Sequence, residues 1–116
     1  MEGYRELTVW QKGMDLVVAV YRLTATFPKS ETFGLASQMQ RAAVSIPSNI
    51  AEGNALRQTK AYLRHLAIAS GSLAELETQL ELAERLGYSK DQDVMQRANE
   101  IGRMLSVLRQ KLEAKL

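Results

Sequence analysis

The segment from Gln38 to Gly53, QMQRAAVSIPSNIAEG, decides the fold because two stripes of opposite character run along it. Apolar residues recur at the spacing of one helix face: Leu35 just upstream, then Met39, Ala42, Ala43, Ile46 and Ile50. Polar residues recur at the same spacing, about a quarter-turn or more away: Gln38, Arg41, Ser45, Asn49 and Glu52. The segment is therefore predicted to be one helix with a core face and a separate polar face, ended by Gly53 in a left-handed conformation.

The flanking segments repeat the helical rhythm. The first predicted helix covers Val9 to Ala25, with Thr8 and Gln11 as a capping box and an apolar seam at Leu7, Trp10, Met14, Val17 and Tyr21. The third runs to about Leu86, ends at Gly87, and carries its seam at Tyr62, Leu66, Ala69, Leu73, Leu76, Leu80 and Ala83. The fourth follows a capping box at Ser89 and Gln92, with its seam at Val94, Ala98, Ile101, Leu105, Leu108 and Leu112.

Short loops between these helices force neighbouring helices to be antiparallel. The fold class predicted is all-α, an up-down-up-down four-helix bundle, in one domain over residues 1–116. The chain has no cysteine, which excludes a disulfide framework and thiol chemistry. It shows neither a signal-peptide pattern nor an uncharged apolar run near the ~20 residues that span a bilayer, so a cytoplasmic location without membrane contact is expected.

The motifs RAAVSIPSNIAEG and GSLAELETQLELA (Gly71 to Ala83) resemble bacterial four-helix-bundle proteins of the 23S ribosomal RNA intervening-sequence family. The accessory subunits of diversity-generating retroelements are structural relatives of that family. The resemblance covers Trp10 to about Tyr88. It implies the bundle fold, a ring-like homopentamer and a basic scaffold that serves a reverse transcriptase or another nucleoprotein.

Residues that carry catalytic chemistry are scarce. His65 is the sole histidine, with no acidic residue three positions before it, and no glycine-rich phosphate loop is present. A solvated acidic surface is the favoured interpretation of Glu75, Glu77, Glu81 and Glu84, and a carboxylate metal site is the weaker alternative. The chain is therefore expected to be non-enzymatic, without metal or cofactor, and His65 to be a surface or boundary residue.

The polar stripe of the second helix has two interpretations. Gln38, Arg41, Ser45, Asn49 and Glu52 either face water or form a hydrogen-bonded network between helices or subunits. The stretch between Arg41 and Glu52 carries no charge, unlike an ordinary solvated face, and serine and asparagine are poor helix formers. In the network interpretation, Arg41 and Glu52 find partners across an interface.

The back of the third helix carries small residues. Ala67, Gly71, Ala74 and Thr78 stack on the side away from its leucine seam. A glycine in mid-helix costs about 0.5–1 kcal/mol relative to alanine, so a compensating close contact is expected there. This stripe is predicted to be a subunit interface.

Charge is segregated along the chain although the net charge is only +2. Residues 35–72 carry four basic side chains against Glu52, whereas residues 73–93 carry six acidic against two basic. Arg57, Lys60 and Arg64 fall on the same outward side of the third helix as the small-residue stripe, at its N-terminal end, and are predicted to contact the phosphates of RNA or DNA. A solvated surface is the alternative, and Tyr62, the aromatic among them, is expected to point into the core. The function predicted is an oligomeric scaffold that binds RNA or a nucleoprotein, and the alternative is a protein–protein adaptor without nucleic-acid contact.

Overall fold

The structure is a computed structural model that describes residues 3–116. It contains four α-helices: α1 (Thr8–Thr24), α2 (Leu35–Ala55), α3 (Thr59–Arg85) and α4 (Asp93–Glu113). Short 3-10 helices, Tyr4–Glu6 and Lys29–Glu31, precede α1 and α2. Helices that follow one another in the chain pack together, and α1 also packs against α4. These contacts close an antiparallel four-helix bundle of 46 × 20 × 20 Å. The predicted fold class is confirmed.

The seams predicted for α2, α3 and α4 form the core. Every predicted seam residue of α3 is buried, from Tyr62 to Ala83. The apolar stripe predicted for α2 is also buried at Met39, Ala42, Ala43, Ile46 and Ile50. The α4 seam is buried except for Leu108, which packs at the edge of the core. Each of these helices has one apolar stripe bounded by polar residues, so its inward face was unambiguous.

The seam predicted for α1 is wrong at two of its five positions. Leu7, Trp10 and Val17 pack at the edge of the core as predicted. Met14 and Tyr21 are 44% and 48% exposed, and the buried side of α1 consists of Val9, Gly13, Leu16, Val20 and Thr24. The reason lies in α2: a Cβ atom at Gly13 would be 3.3 Å from the Cβ of Pro47. The glycine lets the proline ring pack against the α1 backbone, and this contact turns the predicted seam partly toward solvent.

Both predicted capping boxes are also absent. Leu7 is the N-cap of α1, and the Gln11 amide donates to the backbone oxygen of Arg5 at 2.9 Å. Before α4, the Asp93 amide donates to Asp91 Oδ1 at 2.8 Å, while Gln92 donates to Glu84 of α3 at 2.9 Å. The side chains of Gln11 and Gln92, which the predicted boxes require, therefore both bond to groups outside those boxes.

The ends of α2 differ from those predicted. The helix begins at Leu35 rather than near Phe33, and the Leu35 amide donates to Glu31 Oε1 at 3.1 Å. At the other end, Gly53 is helical, and Arg57 is the residue with a left-handed backbone (φ 55°). The prediction that Gly53 ends the helix is wrong because this glycine serves the packing of α2 on α3, as described below. Gly87, with φ 77°, follows the end of α3 as predicted.

Candidate nucleic-acid interface and inter-helix polar network

The predicted phosphate contacts lie where α2 turns into α3. Arg57 is in the connection between the two helices, and Lys60 and Arg64 occupy the first two turns of α3; all three are exposed. A left-handed backbone costs an L-residue about 1–2 kcal/mol, yet position 57 carries arginine and not glycine. Tyr62 lies among them in sequence but is buried, as expected.

The antiparallel topology gathers further cations at the same end of the bundle. The start of α1, the end of α2, the start of α3 and the end of α4 meet there. Arg5 lies before α1, and Lys111 lies in the last turn of α4. We call this the basic end. The opposite end carries Glu81 and Glu84 in the last turns of α3, together with exposed cations such as Arg85 and Lys90, so the two ends differ in charge less sharply than the two segments of the sequence do.

The predicted interface stripe on α3 is uncovered in the subunit. Ala67, Gly71 and Ala74 are exposed, and a Cβ atom added at Gly71 would meet nothing within 4 Å. Ile68 and Leu82, both 47% exposed, lie on the same helix outside the core. We call Ala67, Gly71, Ala74 and Thr78 the outer face of α3. The prediction that it contacts another subunit stays a prediction.

Part of the polar stripe of α2 is hydrogen-bonded to α3. The Asn49 amide donates to the Ser45 backbone oxygen at 2.8 Å and to Ser45 Oγ at 3.1 Å. Ser45 Oγ also accepts from Ser72 Oγ of α3 at 2.8 Å. Asn49 Oδ1 lies 3.0 Å from His65 Nδ1, and because Asn49 donates through its nitrogen, His65 must donate through Nδ1. These contacts form one polar network between the two helices.

The charged members of the stripe lie at its margin. Glu52 Oε2 is 3.6 Å from His65 Nδ1, and the Glu52 side chain is 67% exposed. This contact lies within the chain and is an ion pair only when the imidazole is protonated. The prediction that Arg41 and Glu52 find partners across an interface stays a prediction. Arg41 and Gln38 are exposed, and Arg41 makes no ion pair within residues 3–116.

Gly53 completes the contact between α2 and α3. A Cβ atom there would lie 2.8 Å from the Cβ of His65 and 3.0 Å from Cδ1 of Tyr62. Burial raises the pKa of the Tyr62 hydroxyl, and the neighbouring Asn54 side chain partly offsets this rise. Sequence reasoning missed His65 and Ser72 as members of the network. Their spacing of seven residues, about two helical turns of α3, was the available signal because it puts both side chains on one face of the helix.

Two further features of the described part of the chain concern function classes. Within residues 3–116, no group of three acidic or histidine side chains is placed to share a metal ion. None of the helices in that range is long and apolar enough to cross a bilayer.

Comparison with known proteins places these features in a family. Residues 5–108 match the family model described as 23S rRNA-intervening sequence protein. Among solved structures, a protein of unknown function from the S23 ribosomal protein family of Bacteroides thetaiotaomicron VPI-5482 is similar, with a TM-score of 0.80 at 24% sequence identity. The alignment covers 88% of this chain and 95% of that one, and at this identity the likeness shows the fold alone. None of the curated proteins compared matches the chain.

Proposed function

Since this chain belongs to the family of 23S rRNA-intervening sequence proteins, we propose that it is a small, non-enzymatic, cytoplasmic scaffold that binds RNA or a nucleoprotein. It does so as a homo-oligomer. The observation that carries the proposal is the exposure of Arg57, Lys60 and Arg64 together at one end of the bundle. We call these three residues the basic face.

The chemistry of the basic face suits phosphate contact. Lys60 and Arg64 are one turn apart on α3, and Arg57 precedes them in the connection, so three long cations project from neighbouring positions. Contacts of this kind hold the nucleic-acid backbone and carry no sequence information. Binding is therefore expected to depend weakly on sequence and strongly on salt, because each phosphate contact releases counterions.

Assembly compensates for the small number of cations in one subunit. A ring of five subunits presents the basic face once per subunit, so one strand that touches several copies gains affinity through effective concentration. The uncovered outer face of α3 supports a subunit contact of this kind. The nucleoprotein partner proposed is a reverse transcriptase or a comparable complex, whose RNA or DNA the ring would hold.

The test replaces Arg57, Lys60 and Arg64 with glutamine, which keeps helix propensity and side-chain length. We expect RNA affinity to fall sharply and the plot of log affinity against log salt to become shallower. The slope should change by about 0.9 for each duplex phosphate that is no longer neutralised, or about 0.7 on single strands. The matched control replaces Arg22, Lys29 and Lys90, three exposed cations at the opposite end, with glutamine. It removes the same charge, so its affinity should stay close to that of the parent.

A protein–protein adaptor is the second candidate function. An open groove of about 360 Å³ between the start of α1 and the end of α4 favours it, because the groove is mainly apolar. Its floor includes Leu7, Val9, Met104, Val107 and Leu108. If the parent does not bind RNA or DNA at low salt, or the glutamine variant binds them as tightly as the parent, the adaptor becomes the favoured function.

A further inference from the structure

A hollow of about 340 Å³ lies at the basic end, between the first 3-10 helix and the connection from α2 to α3. Residues 3–6 line one side of it, and Asn54, Ala55 and Arg57 line the other. Its volume lies in the range of about 300–1,000 Å³ that is usual for small-ligand sites. Tyr4 and Arg57 therefore line the same hollow, although the two residues are far apart in sequence.

Tyr4 belongs to a fixed aromatic cluster. Its ring meets that of Trp10 edge-on, with the centroids 5.3 Å apart. The Arg5 guanidinium carbon lies 5.5 Å from the Tyr4 centroid and 5.9 Å from the Trp10 centroid. The Gln11 amide donates to the Arg5 backbone oxygen, and the Leu7 amide donates to the Tyr4 backbone oxygen at 3.0 Å, so the turn that carries these side chains is anchored to α1.

An aromatic ring beside cations is the arrangement that binds single-stranded nucleic acid. Every base has a π-face, so a base stacks on an aromatic side chain while the flanking phosphates contact lysine or arginine. A paired base is already stacked inside its helix and does not reach such a hollow unless it is unpaired first. The basic face alone makes no such distinction, because its contacts are to the backbone.

We propose that the hollow receives an unpaired base of single-stranded RNA or DNA, which stacks on Tyr4 while Arg5 and Arg57 contact the adjoining phosphates. This inference rests on the proposed nucleic-acid function and narrows it from any nucleic acid to unpaired nucleotides. Glu6 also lines the hollow, and its carboxylate repels phosphate and accepts hydrogen bonds from base amino groups.

The test compares a single-stranded oligonucleotide with a duplex of the same sequence, in both RNA and DNA form, for the parent and for Tyr4→Leu. Stacking contributes enough that its loss should weaken single-strand binding roughly 5- to 150-fold, while duplex binding changes less than about twofold. Tyr4→Phe keeps the ring and should retain the parent affinity. Tyr21→Leu is the matched control, because Tyr21 is exposed on α1 away from the basic end and its loss should change neither affinity.

Fluorescence gives a second readout that does not depend on a substitution. Trp10 is the sole tryptophan and touches Tyr4, so a base entering the hollow should quench its emission, whereas duplex should not. If Tyr4→Leu weakens single-strand and duplex binding equally, or weakens neither, the stacking site is overturned. If either result is found while the glutamine variant of the basic face shows reduced nucleic-acid affinity, the proposed function stands and only the stacking site fails. If single strands of RNA bind and those of DNA do not, the 2′-hydroxyl is also read, and the site is specific to RNA.

Discussion

The close approach of α2 and α3 depends on Gly53, whose position leaves no room for a methyl group against His65 and Tyr62. The Cβ of His65 cannot rotate away, so Gly53→Ala must push the two helices apart. Overpacking of this kind costs about 1–3 kcal/mol, and the better helix propensity of alanine offsets up to about 1 kcal/mol. We expect a net loss of about 1–2 kcal/mol in the free energy of unfolding, measured by denaturant titration.

Gly71→Ala is the control for that substitution. Its Cβ atom meets nothing within 4 Å, and alanine is no larger than Ala67 and Ala74 on the same face. It should raise stability by about 0.5–1 kcal/mol through helix propensity alone. If both variants gain stability equally, α2 and α3 have room between them and the packing role of Gly53 is wrong.

Some residues of the candidate site could be predicted from the sequence, whereas their partners on other elements could not. Ser45 and Asn49 were predictable members of a polar network, because neutral polar residues at helical spacing are unusual on a solvated face. Their partners His65 and Ser72 come from another helix, and the pairing depends on how α2 and α3 are rotated against each other. Tyr4 could not be linked to Arg57, because only the folded topology brings the N-terminal turn to the end of α2.

Among the elements, α1 and α3 show what decided the success of prediction. The α3 seam was predictable because its apolar residues occupy a single stripe. In α1, apolar residues lie on several sides, and a contact with α2, Gly13 against Pro47, selects the side that is buried. Local periodicity contains no information about that contact. The capping boxes failed for a related reason, since Gln11 donates to a backbone oxygen before α1 and Gln92 donates to Glu84 of α3, so neither side chain closes a local box.

The start of α2 and the end of α3 are joined through one carboxylate, which makes stability there depend on pH. The Leu35 amide and the Tyr88 hydroxyl, at 2.8 Å, donate to Glu31 and hold its pKa below the ordinary value of 4.5. A lowered folded-state pKa stabilises the fold above the ordinary value, and this contribution disappears as the pH falls through the folded-state pKa. Glu31→Gln should therefore lower the melting temperature at neutral pH and match the parent in strong acid.

Tyr88→Phe is the partner experiment for Glu31. It removes one hydroxyl and keeps the ring that packs against Phe27, with centroids 5.4 Å apart. The same pH dependence should weaken but persist, because the Leu35 amide is the larger cause of the lowered pKa. A difference between the parent and Glu31→Gln that is constant over the whole acid range would contradict the role given to the ionised carboxylate.

For the whole molecule, the important property is that its two candidate surfaces follow one another along α3, the basic face at its start and the outer face from Ala67 onward. The basic face lies at one end of the bundle, whereas the outer face of α3 continues along the middle of the same helix. Subunits that meet through the middle of α3 leave the basic ends uncovered, so assembly multiplies the nucleic-acid contacts without burying them. Assembly and nucleic-acid binding are then separable by substitution.

Gly71→Leu tests that separation. The position is exposed and away from the core seam, so the variant should keep the helical circular dichroism of the parent while leucine displaces a neighbouring subunit. In sedimentation velocity, the parent should form one species several times 13.0 kDa, and the variant should shift toward the monomer. Gly71→Ala adds only a methyl group, so it should shift assembly less than leucine does.

The nucleic-acid affinity of Gly71→Leu tests whether assembly strengthens binding. A monomeric subunit keeps its own Arg57, Lys60 and Arg64, so it should still bind RNA. The binding should be weaker and should depend less steeply on salt, because one subunit neutralises fewer phosphates than an oligomer does. Three outcomes would count against this account. A parent that sediments as a monomer contradicts the oligomer, and loss of helicity together with assembly places Gly71 inside the fold. A dispersed variant with unchanged affinity means that one basic face suffices and that the ring serves another purpose.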